Sequence, residues 1–138
     1  FDATNLEALR LQGKGLRDDI GERIETNFDT IIHPSNLAAD VWEVMNSSGK
    51  TETNYNNENF QRGRWKSIEL PMLDDTDTND WFIVDSQAMK DSLIWLDSVP
   101  IEFNSTTDFD TQMRKYADYF VVGHGFTDWR WCIGSSVS

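Results

Sequence analysis

The sequence is poor in cysteine, in basic residues and in long apolar runs, and each scarcity excludes a class of protein. Cys132 is the only cysteine among 138 residues, so neither an internal disulfide nor a cysteine-rich zinc site can form. No apolar run approaches the roughly twenty residues that a membrane-spanning helix requires. Lys and Arg number 12 against 24 Asp and Glu, giving a net charge of -12 that repels phosphate and anionic lipid. We therefore expect no direct binding of nucleic acid or of a membrane.

Groups that could perform catalysis are also scarce. The two histidines, His33 and His124, have no metal-ligand partner at helical spacing, although either could act as a general base beside a nucleophile. Cys132 lies in an apolar segment, where a thiol behaves as a small hydrophobic group. Gly123 and Gly125 lack the third glycine of a dinucleotide-binding loop. The sequence therefore predicts no catalytic, cofactor-binding or metal-binding residues.

One acidic segment invites interpretation as a calcium loop. Asp75, Asp77 and Asn79 have the spacing of the first three ligands of an EF-hand. Asp80 stands where the loop needs glycine for its sharp turn, and Ser86 stands where it needs a bidentate glutamate. Both departures remove a physical requirement of the site, so a solvated surface turn is the preferred interpretation.

Aromatic residues are the one compositional excess, with six Trp, eight Phe and three Tyr. This supply favours a folded domain with a substantial core over a disordered chain. Most of the tryptophans are expected in the core. The alternative is that some of them, such as Trp65, Trp95 and Trp129, anchor contacts between subunits, because aromatic residues are enriched at interface hot spots.

The order of local patterns predicts a mixed α+β chain. A capping box at 4–7 indicates a first helix, and Ser35 is a plausible cap for an amphipathic helix with Leu37, Val41, Val44 and Met45 at helical spacing. The other predicted elements are a turn at 14–21, strands at 30–33, 60–70, 81–84, 94–96, 99–103, 118–123 and 129–133, and a short helix at 86–93. Polar segments at 46–59 and 74–80 are predicted to be exposed, on rims or at subunit contacts.

Several segments in series resemble the C-terminal half of tailed-phage major capsid proteins, especially the Mu-like major head subunit group. No single segment is a catalytic signature, and the resemblance is carried by their order along nearly the whole chain. The segments are GKGLRDDIG around Lys14–Gly21, FDTIIHPSNL at Phe28–Leu37, VMNSSG at Val44–Gly49, FQRGRWKSIELPMLDD from Phe60, NDWFIVD at Asn79–Asp85, and MRKYADYFVVGHGFTDWRWCIGSS from Met113.

The resemblance implies the Hong Kong 97-type capsid fold. Residues 1–138 would then be a single C-terminal fragment of a longer subunit, an expectation that agrees with the absence of a starting methionine at Phe1. Residues 1–90 would form most of the axial domain, and residues 91–138 would form strands returning to the peripheral domain.

The resemblance also implies a structural function and a location. The chain would be a head protein, not an enzyme, that assembles with copies of itself into hexamers and pentamers of an icosahedral shell around double-stranded DNA. Scaffold, portal or decoration proteins would be further partners, and the protein would reside in the virion after assembly in the bacterial cytoplasm. A strongly acidic subunit would confine DNA without adhering to it.

Three alternatives remain at this stage. An encapsulin-like bacterial compartment shell shares the subunit architecture and differs in its cargo. A small hydrolase or isomerase would use His33 or His124 together with nearby carboxylates. A monomeric ligand-binding module would use the aromatic residues to line a pocket.

Overall fold

The computed structural model describes residues 1–49 and 58–135, and it is a mixed α+β structure. Contacts divide the chain into two compact units. The first, which we call the core unit, consists of Phe1–Lys90 with Asp128–Ser138, and the second, which we call the hairpin unit, consists of Asp91–Thr127. The predicted division into an axial domain at 1–90 and returning strands at 91–138 depends on the capsid assignment, so it stays a prediction.

The helices lie close to their predicted positions, but the first one begins earlier. Asp2 is the cap, because its Oδ1 accepts the backbone N–H of Asn5 over 2.6 Å. The predicted capping box headed by Thr4 is therefore wrong, and Thr4 lies inside the helix. Ser35 is not a cap either, since it begins a 3-10 turn that leads into the second helix. The helices are α1 (Ala3–Lys14), α2 (Ala38–Asn46) and α3 (Ser86–Ser92), with 3-10 turns at Ser35–Leu37 and Pro71–Leu73.

Four strands of the core unit form one sheet in the order β2-β1-β3-β6. The outer strand β2 runs parallel to β1, and this is possible because the connection through α2 crosses over between them. The other two pairings are antiparallel. The strands are β1 (Thr30–His33), β2 (Lys66–Glu69), β3 (Trp81–Val84) and β6 (Cys132–Ser135). β1 and β3 confirm the predicted strands at 30–33 and 81–84, whereas β2 is shorter than the predicted strand at 60–70 because residues 60–64 form turns.

A continuous apolar cluster stabilises the core unit. Ile31 of β1 lies opposite Ile83 of β3 in the antiparallel register, and both side chains are fully buried. The ring of Phe1 packs edge-on against Trp81, with 4.7 Å between ring centroids. The buried members of the cluster are Leu6, Leu9, Phe28, Ile31, Leu37, Val41, Val44, Trp65, Trp81 and Ile83.

α1 continues through Gly13 because this position needs a residue without a side chain. A Cβ atom there would overlap the ring of Phe28 and would touch Ile133. The glycine costs helix propensity of about 1 kcal/mol, but it allows α1 to approach the sheet closely. Gly13 therefore permits the close packing of α1 against Phe28 and Ile133.

Asp29 connects β1, β2 and α3 through its carboxylate. Ser86 donates its hydroxyl over 2.7 Å and its backbone N–H over 3.1 Å, Thr30 donates its hydroxyl, and Lys66 forms an ion pair at 3.4 Å. Burial acts to raise the pKa of Asp29, but these donors together outweigh it and hold that pKa below its ordinary value.

The hairpin unit contains a two-stranded antiparallel sheet of unusual length. Its strands β4 (Leu93–Thr107) and β5 (Arg114–Phe126) have 15 and 13 residues, against a common strand length of about five or six. The predicted strands at 94–96 and 99–103 are joined in β4. The tip turn contains Gln112 in the left-handed conformation, with φ of 58°. Lys115 bonds Asp108 there over 2.6 Å and is the main reason why the pKa of Asp108 is lowered.

The two polar segments predicted to be exposed have different outcomes. At 74–80 no residue is buried, which is compatible with a surface turn. The segment 46–59 falls partly outside the described residues, at 50–57. Its last residue, Asn59, is buried, because its side-chain amide donates to the carbonyl oxygens of Val44 and Ser47. The prediction of exposure is therefore wrong for Asn59.

Candidate interaction surface

The hairpin unit exposes large apolar side chains along both of its strands. Phe103 is 82 % exposed, Trp95 is 66 % exposed, and Phe120 at the middle of β5 is 53 % exposed. The other exposed apolar residues on these strands are Leu93, Ile94, Leu96, Ile101, Tyr116, Tyr119, Val121, Val122 and Phe126. An apolar surface of this extent marks a place where another molecule or segment binds.

Both faces of the hairpin carry these residues. Successive side chains along a strand point to opposite faces of the sheet. On β5, Phe120 and Val122 therefore share one face, while Tyr119 and Val121 share the other, and all four are exposed. A strand that packs against a single core alternates apolar and polar residues, and β5 does not. Each face of the hairpin therefore requires its own cover.

The three tryptophans proposed as contact anchors differ in their exposure to solvent. Trp65 is buried in the core, where its Nε1 donates to Gln61 Oε1 over 2.7 Å, so its assignment as a contact anchor is wrong. Trp95 and Trp129 are exposed. Trp42 on α2 is also exposed, and sequence reasoning missed it because it neighbours the buried Val41 on an apolar helix.

His33 is buried and bonded through both ring nitrogens. Nδ1 lies 2.9 Å from the carbonyl oxygen of Pro34, and Nε2 lies 2.8 Å from Ser67 Oγ. A carbonyl oxygen only accepts, so in the neutral ring Nδ1 carries the proton and Nε2 is the nitrogen that can accept the hydroxyl hydrogen of Ser67. The histidine thus joins β1 to the outer strand β2, beside a surface depression of about 360 Å³ that Trp42, Met45 and Glu69 also line.

The geometry around His33 resembles a nucleophile–base pair only in part. A serine hydroxyl at 2.8 Å from an acceptor nitrogen is the arrangement that general-base activation requires. The orienting partner is the carbonyl of Pro34, whereas the hydrolase hypothesis invoked a nearby carboxylate, which would stabilise a protonated imidazole. His124 lies in the hairpin unit, opposite Trp95 in the register.

Neither the cysteine nor the acidic turn gains a chemical role from the fold. Burial raises the pKa of the Cys132 thiol, which makes the reactive thiolate less available. In the acidic turn, Asp77 accepts the backbone N–H of Asn79 and so stabilises the turn, whereas Asp74 accepts the backbone N–H of Ser35 and so joins the turn to the 3-10 turn that follows β1. Over residues 1–49 and 58–135, no three His, Cys, Asp or Glu side chains are grouped to hold a metal ion.

The exposed hairpin is therefore the most prominent candidate functional surface in the described part of the chain. Comparison with protein-family models, with curated proteins and with solved structures finds no match. In the described part of the chain, every helix is too short or too polar to span a membrane.

Proposed function

We propose that this chain is a structural subunit of an icosahedral shell, of the tailed-phage major capsid type with the Hong Kong 97-type fold. The observation that carries the proposal is the hairpin unit, whose apolar side chains are exposed on both faces. An isolated two-stranded hairpin is marginally stable in water, so a hairpin this long requires partners to cover it. A shell subunit, surrounded by its neighbours, supplies such partners.

The charge of the chain supports the shell proposal further. A net charge of -12 opposes binding to DNA phosphates. A protein that encloses DNA during packaging and ejection needs an inner surface along which the genome slides. In this proposal copies of the chain form hexamers and pentamers in the virion, with scaffold, portal or decoration proteins as further partners.

Electron microscopy of the complete gene product that contains these residues tests the proposal. After expression and purification, we expect closed, uniform shells tens of nanometres across in negative stain, with light scattering as a check. A persistent monomer at high concentration, with or without scaffold protein and at every salt concentration, would contradict the proposal. Packaged DNA in the particles would identify a phage head, whereas a protein cargo bound to the inner face would identify an encapsulin-like compartment.

The hydrolase alternative has one observation in its favour, the 2.8 Å contact between His33 Nε2 and Ser67 Oγ. If this pair were catalytic, Ser67→Ala would abolish turnover of an activated ester such as p-nitrophenyl acetate. We expect instead that the wild-type chain and Ser67→Ala hydrolyse the ester at the same background rate. A rate that depends on Ser67 would favour the hydrolase.

A further inference from the structure

The two outer edges of the hairpin differ in their capacity to accept another strand. β4 contains Pro100, which has no N–H to donate to a neighbouring strand. The register also shifts twice along β4, between Asp97 and Val99 and between Val99 and Glu102, and the extra residues are on β4 each time. Bulges and proline are the usual means by which an edge strand avoids further pairing.

The edge of β5 has none of these protections. It extends over 13 residues without proline and without an inserted residue. Within residues 1–49 and 58–135, β5 pairs with β4 alone, so its other edge presents unpaired backbone groups. A long, regular strand edge flanked by exposed aromatic side chains is a template for a further strand.

The charges of β5 favour a second copy of the chain as that strand. β5 carries two cations and one anion, whereas the whole chain has twice as many acidic as basic residues. The strand is therefore a region where two strongly acidic chains can approach each other. Antiparallel pairing about a two-fold axis at Phe120, its middle residue, places Arg114 opposite Phe126 and Asp118 opposite Val122. No like charges face each other in this register, and Phe120 faces its own copy.

We propose that β5 is a self-pairing edge, through which two copies of this chain join their hairpins into one continuous four-stranded antiparallel sheet. This edge pairing rests on the proposed shell function, because assembly into a shell is what brings copies of the chain together. It identifies one contact between subunits and the register of that contact, which the shell proposal alone leaves open.

Engineered disulfides test both the contact and its register. The native thiol is first removed by Cys132→Ser, and Phe120→Cys is then introduced. Facing residues in an antiparallel pair have Cα atoms about 4.5–5.5 Å apart, within the roughly 4.4–6.8 Å that a disulfide spans. Under mild oxidation we expect the Phe120→Cys chain to form a disulfide-linked dimer. The matched control is Thr106→Cys, which is exposed on β4, the protected edge.

A mixture of two single variants determines the register. Tyr116 and His124 face each other across the proposed axis, so Tyr116→Cys and His124→Cys chains should cross-link when mixed and not when oxidised separately. We expect each predicted cross-link to form at least about tenfold more efficiently than the Thr106→Cys control, because pairing raises the local thiol concentration. Raising the salt from about 0.05 to 0.5 M should increase the yield by screening acidic repulsion.

Equal cross-linking at positions 106 and 120, or efficient cross-linking of Tyr116→Cys with itself, would overturn the proposal. If the Phe120→Cys chain assembled into shells and no disulfide formed at position 120 on oxidation, the edge pairing would also be overturned. The shell function would stay in place. A specific disulfide in a protein that never forms shells would uphold the edge pairing and contradict the shell function instead.

Discussion

The core unit and the hairpin unit use the same kinds of residue in opposite environments. In the core unit, Trp81 is 1 % exposed between neighbouring strands and helices, and Ile83 beside it is fully buried. In the hairpin unit, Trp95 and Ile94 occupy equally regular strand positions, yet both are exposed. The local sequence defines a strand in each case. What differs is whether residues 1–49 and 58–135 supply the second layer that a sheet face needs.

The largest expected effect is the difference in stability lost when one tryptophan is removed from the core unit and one from the hairpin unit. Trp81→Ala removes a fully buried ring and its edge-on contact with Phe1, so we expect a loss of about 3–5 kcal/mol in the free energy of unfolding. Trp95→Ala should cost less than about 1 kcal/mol, because that side chain is already in water. Denaturant titration followed by circular dichroism measures both. Similar losses for the two variants would show that the hairpin is covered within the monomer.

A glycine in each unit gives a second, smaller contrast. Gly13→Ala places a methyl group where it overlaps the edge of the Phe28 ring, and we expect a cost of about 1–3 kcal/mol from overpacking. Gly123→Ala in β5 has open space around it, and it should be neutral or slightly stabilising. Thermal unfolding of the two variants checks this pair. A stabilised Gly13→Ala variant would show that the buried ring of Phe28 can move aside, and it would contradict this prediction.

Acid should act on the core unit through Asp29. The pKa of Asp29 is lowered in the folded state, so its contribution to stability is complete above the unfolded-state value near 4 and is lost as the pH falls through the folded value. Asp29→Asn should therefore destabilise the protein by about 1–2 kcal/mol at pH 7 and by much less at pH 3.

The control for Asp29 is Asp108→Asn at the tip of the hairpin. Asp108 is half-buried within the tip of the hairpin unit, outside the core unit, and its main partner is Lys115, so unfolding of the core unit should not change at either pH. Urea titrations at the two pH values measure both variants. A pH-independent loss for Asp29→Asn would show that its side chain acts through shape and not through its charge.

The smallest expected effect on folding belongs to the most exposed apolar residue of β4. Phe103→Ser should change the free energy of unfolding by less than about 0.5 kcal/mol. It should nevertheless weaken self-association, because it removes an apolar group from the surface that needs cover. Light scattering over a concentration series separates the two effects. Unchanged association would indicate that this end of the hairpin stays in water when copies bind.

Sequence patterns were sufficient for most elements because local physics determines them. The apolar runs at Thr30–His33 and Trp81–Val84 end at Pro34 and Asp85, and both became buried strands of the sheet. The contact between Gly13 and Phe28 and the contact between His33 and Ser67 could not be predicted, since each joins residues that are distant in the sequence. The burial of Trp65 depended on Gln61 becoming its hydrogen-bond partner in a turn that was predicted to be a strand.

The exposure of the hairpin was the least predictable feature. A run such as Tyr119–Val122 is typical of a buried strand, and no local pattern reveals that the layers covering it are missing from the described structure. The candidate surface therefore became visible only in three dimensions. The resemblance to capsid proteins predicted returning strands in this part of the chain, and it did not predict which edge would stay open.

Amide hydrogen exchange, compared between dilute protein and assembled protein, tests the central claim most directly. In dilute solution we expect the amides of β5 to exchange rapidly and those of β3 to be protected, because a lone hairpin opens locally far more often than a packed sheet. On assembly, exchange in β5 should slow by at least about tenfold while β3 stays the same. Protection of β5 equal to that of β3 in the dilute monomer, or rapid exchange of β5 in the assembled particle, would contradict the claim that the hairpin is an assembly surface.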